Sequence, residues 1–108
     1  MAKHILLVLT NPVEGRGDEF NEWYSDTHLA DVLGVDGFAA AQRFELAKDQ
    51  LGEPGPYRYL AIYEVDADDM GKALAALTEA TSSMVLSDAM DMQNMATWAY
   101  SPITERVT

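Results

Sequence analysis

Five consecutive apolar side chains, Ile5 to Leu9, within the stretch HILLVLT at residues 4–10, set the tightest limit on what this chain can fold into. Neighbouring residues of a strand point to opposite faces, so such a run has no face that suits water. Asn11-Pro12 ends it as a turn signal. The run reads as a central strand, buried on both sides. Residues 57–65, YRYLAIYEV, behave alike: Tyr57, Tyr59 and Tyr63 alternate with Leu60 and Ile62, so both faces meet something apolar. Between them, residues 38–46 form a strand with Phe38, Ala40, Gln42 and Phe44 on one face and Ala39, Ala41, Arg43 and Glu45 on the other. That second, more polar face suits an edge. A last strand is predicted over residues 92–100, containing Trp98 and closed by Pro102.

Two helices separate these strands. The first starts at Asp18 as N-cap, with Glu19 in its first turn, and runs to about Leu33, where Gly34 and Gly37 bracket its end as left-handed cap residues. The second starts at Asp66 and repeats Met70, Leu74, Leu77, Thr81 and Met84 at helical spacing. Residues 47–56, rich in glycine and proline, are a solvated connection. The order strand, helix, strand, strand, helix, strand is the split βαβ of a ferredoxin-like α+β sandwich: a four-stranded antiparallel sheet and two main helices, with strands one and three in the centre. Its 108 residues make one domain, 1–108. Two helices cover only one face of four strands, yet the central strands are apolar on both. The uncovered face therefore predicts a homodimer, sheet against sheet.

Charge narrows the partners. Eighteen acidic against seven basic side chains give a net charge of -11, which repels nucleic acid and anionic lipid surfaces. The apolar run behind Lys3 and His4 is too short for an export signal or a membrane span, and the lack of cysteine suits a reducing compartment, so the cytoplasm is the expected location. No phosphate loop or serine nucleophile elbow is present; Glu14-Gly15-Arg16-Gly17 lacks the required spacing.

Chemistry gathers on the first helix, DEFNEWYSDTHLADVLGVDGF at residues 18–38. Residues four apart share a helix face, so Phe20, Tyr24 and His28 form one line, with Asp31 and Val32 below. Tyr24 and His28 are the members of that line that exchange protons, and the negative end of the helix dipole would favour the charged imidazole. An equally ordinary reading is a rim whose rings are buried and whose polar tips are hydrogen-bonded.

An aromatic pair, Trp23 and Tyr24, a polar spacer with Asp26, then His28 and the Gly37-Phe38 turn into a strand resemble the first helix of EthD-like proteins in the dimeric α+β barrel superfamily. Ala30 and Asp36 stand where that pattern often has proline. The resemblance implies an apolar cavity between helices and sheet in each subunit. It also implies kinship with cofactor-independent cyclases, lyases, isomerases and decarboxylases acting on aromatic or polyketide-like compounds, beside others that degrade haem.

The resulting expectation is a lyase, cyclase or isomerase with no cofactor and no metal: His28 as base or acid, Tyr24 as proton donor or oxyanion partner, and Asp26 as orienter. Trp23, Phe44, Tyr59, Tyr63 and Trp98 would line the apolar or aromatic ligand. The competing class is a non-catalytic small-molecule-binding or accessory protein of a catabolic pathway. A metal site from His4, His28 and Asp26 or Asp31 ranks low, since no short histidine spacing supports it. Arg43 reads as a surface ion pair with Glu45 and is left out of the chemistry.

Overall fold

In a computed structural model, which describes residues 3–108, the strands are β1 (Lys3–Thr10), β2 (Phe38–Glu45), β3 (Tyr59–Asp66) and β4 (Ala96–Tyr100). They form one antiparallel sheet in the order β2-β3-β1-β4, so the two doubly apolar runs take the centre. The first helix comprises α1 (Gly17–Trp23), one π-helical turn (Tyr24–His28) and α2 (Leu29–Leu33); α3 (Met70–Thr81) contributes to the same core.

Strand register assigns every side chain to a face. His4, Leu6, Val8 and Thr10 of β1 lie with Tyr59, Ala61, Tyr63 and Val65 of β3 on the helix-covered side. Of these, Leu6, Thr10, Ala61, Tyr63 and Val65 are at most 2% exposed. Phe20, Tyr24 and Val32 of the first helix, with Ala73 of α3, close over them as one core. Ile5, Leu7, Leu9, Leu60 and Ile62 point the other way and remain only half-buried.

Several sequence expectations change. The faces of β2 are mixed by a bulge: Phe38 opposes Val65 and Ala40 opposes Glu64, leaving Ala39 as the extra residue. One extra residue reverses the alternation beyond it, so Phe38 shares its side with Ala41 and Arg43 rather than with Phe44. The second helix is capped by Asp69, whose carboxylate accepts from the Lys72 amide, while Asp66 stays in β3 opposite Lys3. The fourth strand starts at Ala96 because the Asp91 carboxylate accepts from the Gln93 amide and the Asn94 side chain, holding that segment as a turn. The first helix has Arg16 at its N-cap with no side-chain cap bond, leaving Asp18 and Glu19 to offset the dipole.

The turn into β2 depends on one glycine. Gly34 is right-handed (φ -74), whereas Gly37 has φ 93 and its carbonyl accepts from the Asp66 amide at 2.7 Å. A Cβ at Gly37 would meet Ala67 and Ala73 at ordinary contact distances, so only the backbone resists substitution. Gly37→Ala is expected to cost about 1–2 kcal/mol, the penalty of a left-handed L-residue. A urea midpoint unchanged from wild type would refute this.

Candidate functional site

The π-helical turn falls on the Tyr-Ser-Asp-Thr-His stretch. Its wider i→i+5 spacing brings His28 against Trp23 as well as Tyr24, a packing that an uninterrupted α-helix would not allow. The His28 and Trp23 rings stack with centroids 4.7 Å apart and planes 24° from parallel, and the Tyr24 ring meets His28 edge-on at 4.9 Å. The Trp23 indole N–H donates to the Val85 carbonyl at 2.8 Å, tying this aromatic group to the loop after α3.

His28 is half-buried, and its Nδ1 is buried with no hydrogen-bond partner among the described residues. Burial lowers its pKa below the ordinary imidazole value; the Asp31 carboxylate opposes this more weakly. The expectation of a charged ring is thus reversed: burial favours the neutral imidazole. A group held neutral in the fold stabilises fully above its unfolded pKa, about 6.5, and this contribution is lost as pH falls from there through the folded value. His28→Gln is therefore expected to flatten the loss of urea stability between about pH 7.5 and 5.5. Parallel pH profiles for the two proteins would contradict it.

Tyr24 is 2% exposed and Tyr63 1%, and the Tyr63 hydroxyl donates to the Tyr24 oxygen at 3.1 Å. Two hydroxyls sharing one hydrogen bond leave one O–H uncommitted. Burial raises the pKa of both, with the Tyr63 bond and the Arg43 charge partly offsetting it at Tyr24, so both are proton donors at neutral pH.

Arg43 overturns its sequence reading. The bulge turns it under the first helix, where its guanidinium lies 4.6 Å from the Tyr24 ring centre, 5.3 Å from Tyr59 and 5.4 Å from Phe20. It donates to Ser25 Oγ at 2.8 Å and Asn21 Oδ1 at 2.9 Å, while Asn21 in turn donates to the Tyr59 hydroxyl. Glu45 pairs instead with Arg58, 3.0 Å away.

Of the residues singled out in sequence, the fold brings Trp23, Tyr24, His28, Tyr59 and Tyr63 together on the helix side of the sheet. Phe44 and Trp98 lie on the opposite face, 40% and 52% exposed, because their register partners Leu60 and Leu7 point that way. They cannot line a space shared with His28. Asp26 is exposed and borders an open depression with Glu19, Glu22, Trp23 and Thr27; it makes no hydrogen bond to His28. His4 is engaged with other groups: Nδ1 meets Ser101 Oγ at 2.7 Å and Nε2 the Ala67 carbonyl at 3.1 Å. No group of three or more His, Asp or Glu among the described residues is placed to hold a metal ion. Within the single chain, the rings of Phe20, Tyr24 and Tyr63 fill the space where the resemblance implies a cavity.

No protein-family model and no curated protein sequence matches the chain. Solved structures do. An EthD family protein from Bacillus halodurans superposes with a TM-score of 0.64 at 14% identity, covering 95% of this chain and 100% of that one. The chain has the EthD-like fold. An Arabidopsis thaliana protein matches this chain with a TM-score of 0.65 at 14% identity, over 99% of it and 100% of the other. The haem degrader MhuD of Mycobacterium tuberculosis, solved with two haems in its active site, matches with a TM-score of 0.61 at 15% identity, over 96% and 99% of the two chains. Identity this low speaks for the EthD-like fold and leaves the reaction open. No helix among the described residues is long and apolar enough to cross a membrane.

Proposed function

We propose that this chain is a cytoplasmic small-molecule enzyme that moves a proton beside a carbonyl, in the manner of a lyase, cyclase or isomerase, on an aromatic or polyketide-like compound. The observation that carries the reading is the neutral His28 with an unpartnered, buried Nδ1, set against Tyr24 on a π-helical turn. Hydrogen-bonding capacity left unmet in a folded chain asks for a role, and π turns often mark functional positions. His28 takes the proton from carbon; Tyr24, backed by Tyr63, gives a proton or hydrogen bond to the oxygen that becomes the enolate. Asp31, whose charge acts on His28, stands in place of Asp26, the orienter that the sequence suggests. The substrate must part the rings to reach them, which requires the Trp23 indole to leave Val85.

Haem, the ligand in MhuD, fits this chain poorly. The surface beside Trp23 is lined by Glu19, Glu22 and Asp26, which repel the carboxylates of a porphyrin.

The half-buried sheet face of Ile5, Leu7, Leu9, Leu60 and Ile62, flanked by exposed Phe44, Trp98 and Tyr100, is assigned to a second copy of the chain. In that homodimer Phe44 and Trp98 contact the partner.

The tight burial of Tyr24 favours the competing reading, a binding or accessory protein. Incubating aromatic carbonyl compounds with the protein in heavy water separates the two. The enzyme reading expects deuterium at the carbon next to the carbonyl, detected by proton NMR; binding without any wash-in across the panel would leave only the accessory role.

A further inference from the structure

Arg43 is a half-buried cation with no carboxylate partner among the described residues. The other arginines of the helix-bearing half of the sheet and its flanking loops are paired: Arg16 with Glu19 and Asp88, Arg58 with Glu45. Arg43 has Glu45 two residues along its own strand and, in a chain of net charge -11, is nonetheless met only by neutral acceptors on Asn21 and Ser25 and by three aromatic rings. Removing a cation from water without a counter-charge is costly, and ring faces repay only part of that.

Its hydrogen bonds come from Nη1 and Nη2 alone; Nε makes none among the described residues. Nη1 donates to Ser25 Oγ and, at 3.5 Å, to the Asn21 carbonyl, and Nη2 to Asn21 Oδ1. This fixes the plane of the guanidinium while Nε–H stays available beside Nη2, the edge that accepts a planar carboxylate side-on. Ser25 is exposed, so the group opens towards solvent between β2 and the first helix.

We infer that the Arg43 guanidinium, held by Asn21 and Ser25, is the receptor for a carboxylate on the ligand, and that the site takes an aromatic acid. Arg43 and His28 pack against the same Tyr24 ring, 4.6 and 4.9 Å from its centre, so a molecule that parts these rings, as the proposed function requires, meets both. The acid group anchors at Arg43, and its ring system lies along Tyr24 towards the imidazole.

The inference rests on the reading that a small molecule enters beside the first helix, so binding is measured apart from proton exchange. The probes are 2-naphthoate and its methyl ester, titrated into the full chain and followed by tryptophan fluorescence. The acid is expected to bind roughly 10- to 100-fold tighter than the ester, the worth of charge-assisted hydrogen bonds. Arg43→Lys keeps a cation over Tyr24 but loses the planar fork, and is expected to forfeit at least about tenfold of that preference; Arg43→Met is expected to lose it all. Equal binding of acid and ester by wild type, no binding of either up to about 10 mM, or an undiminished preference in Arg43→Met would each overturn the inference. His28-dependent deuterium exchange in neutral carbonyl compounds would survive such a result, because it does not need Arg43. Conversely, an Arg43-dependent preference for the acid with no exchange in any compound would uphold the receptor and remove the catalytic reading.

Discussion

Replacing His28 with alanine is expected to lower the rate of proton exchange, and kcat on the true substrate, by about 10²- to 10⁴-fold, the usual worth of a positioned general base. The imidazole is neutral in the fold and has an unpartnered nitrogen, so its loss removes the acceptor for the carbon-bound proton. Tyr24→Phe should reduce kcat without a matching change in KM, since the ring contacts to Phe20 and His28 survive and only the hydroxyl beside Tyr63 is lost. The same change leaves the buried Tyr63 hydroxyl unpaired, costing about 1–3 kcal/mol of stability. Circular dichroism separates the two effects. Full exchange activity in folded His28→Ala would dispose of the base assignment.

Ile62→Glu is expected to split the homodimer. Ile62 lies opposite Leu7 in the two central strands, in the middle of the half-buried sheet face, so a two-fold pairing places one glutamate from each copy in the interface. Burying an unpaired carboxylate costs several kcal/mol per copy, enough to raise the dimer dissociation constant by about 10³-fold or more. Light scattering at micromolar concentration should give twice the 11.9 kDa chain mass for wild type and a single chain for the variant. A monomeric wild type would mean that the apolar face is tolerated in water, and the reading of β1 as buried on both sides would fall with it.

The architecture was legible because β1 and β3 carry apolar residues on both faces, a pattern with few solutions in a chain this size. What stayed hidden has a physical reason in each case. The bulge at Ala39 sits among three alanines, Ala39 to Ala41, whose side chains give no alternation to read, so simple alternation puts Phe44 with Phe38 and Arg43 on the opposite side. The π turn shifts spacing from four to five residues, and Trp23 and Tyr24 precede His28 by five and four; the spacing alone cannot tell which ring the imidazole will meet. Glu45 lies closer in sequence to Arg43, but Arg58, from across the β2–β3 connection, takes its carboxylate. Asp66 and Asp69 are equally good caps by composition, and only the continued pairing of β3 with Lys3 selects the latter. The helix dipole is visible in sequence whereas the burial of His28 is not, so the sequence alone points to the opposite sign of its pKa shift.

The central claim, that a neutral His28 is the base, is tested most directly by measuring the pH dependence of deuterium exchange beside an NMR titration of the His28 ring. The rate should rise with pH through one ionisation lying below the ordinary imidazole value of about 6.5, and that ionisation should coincide with the ring titration of His28. A His28 ring that titrates at or above that value, or a rate that ignores its titration, would contradict the account.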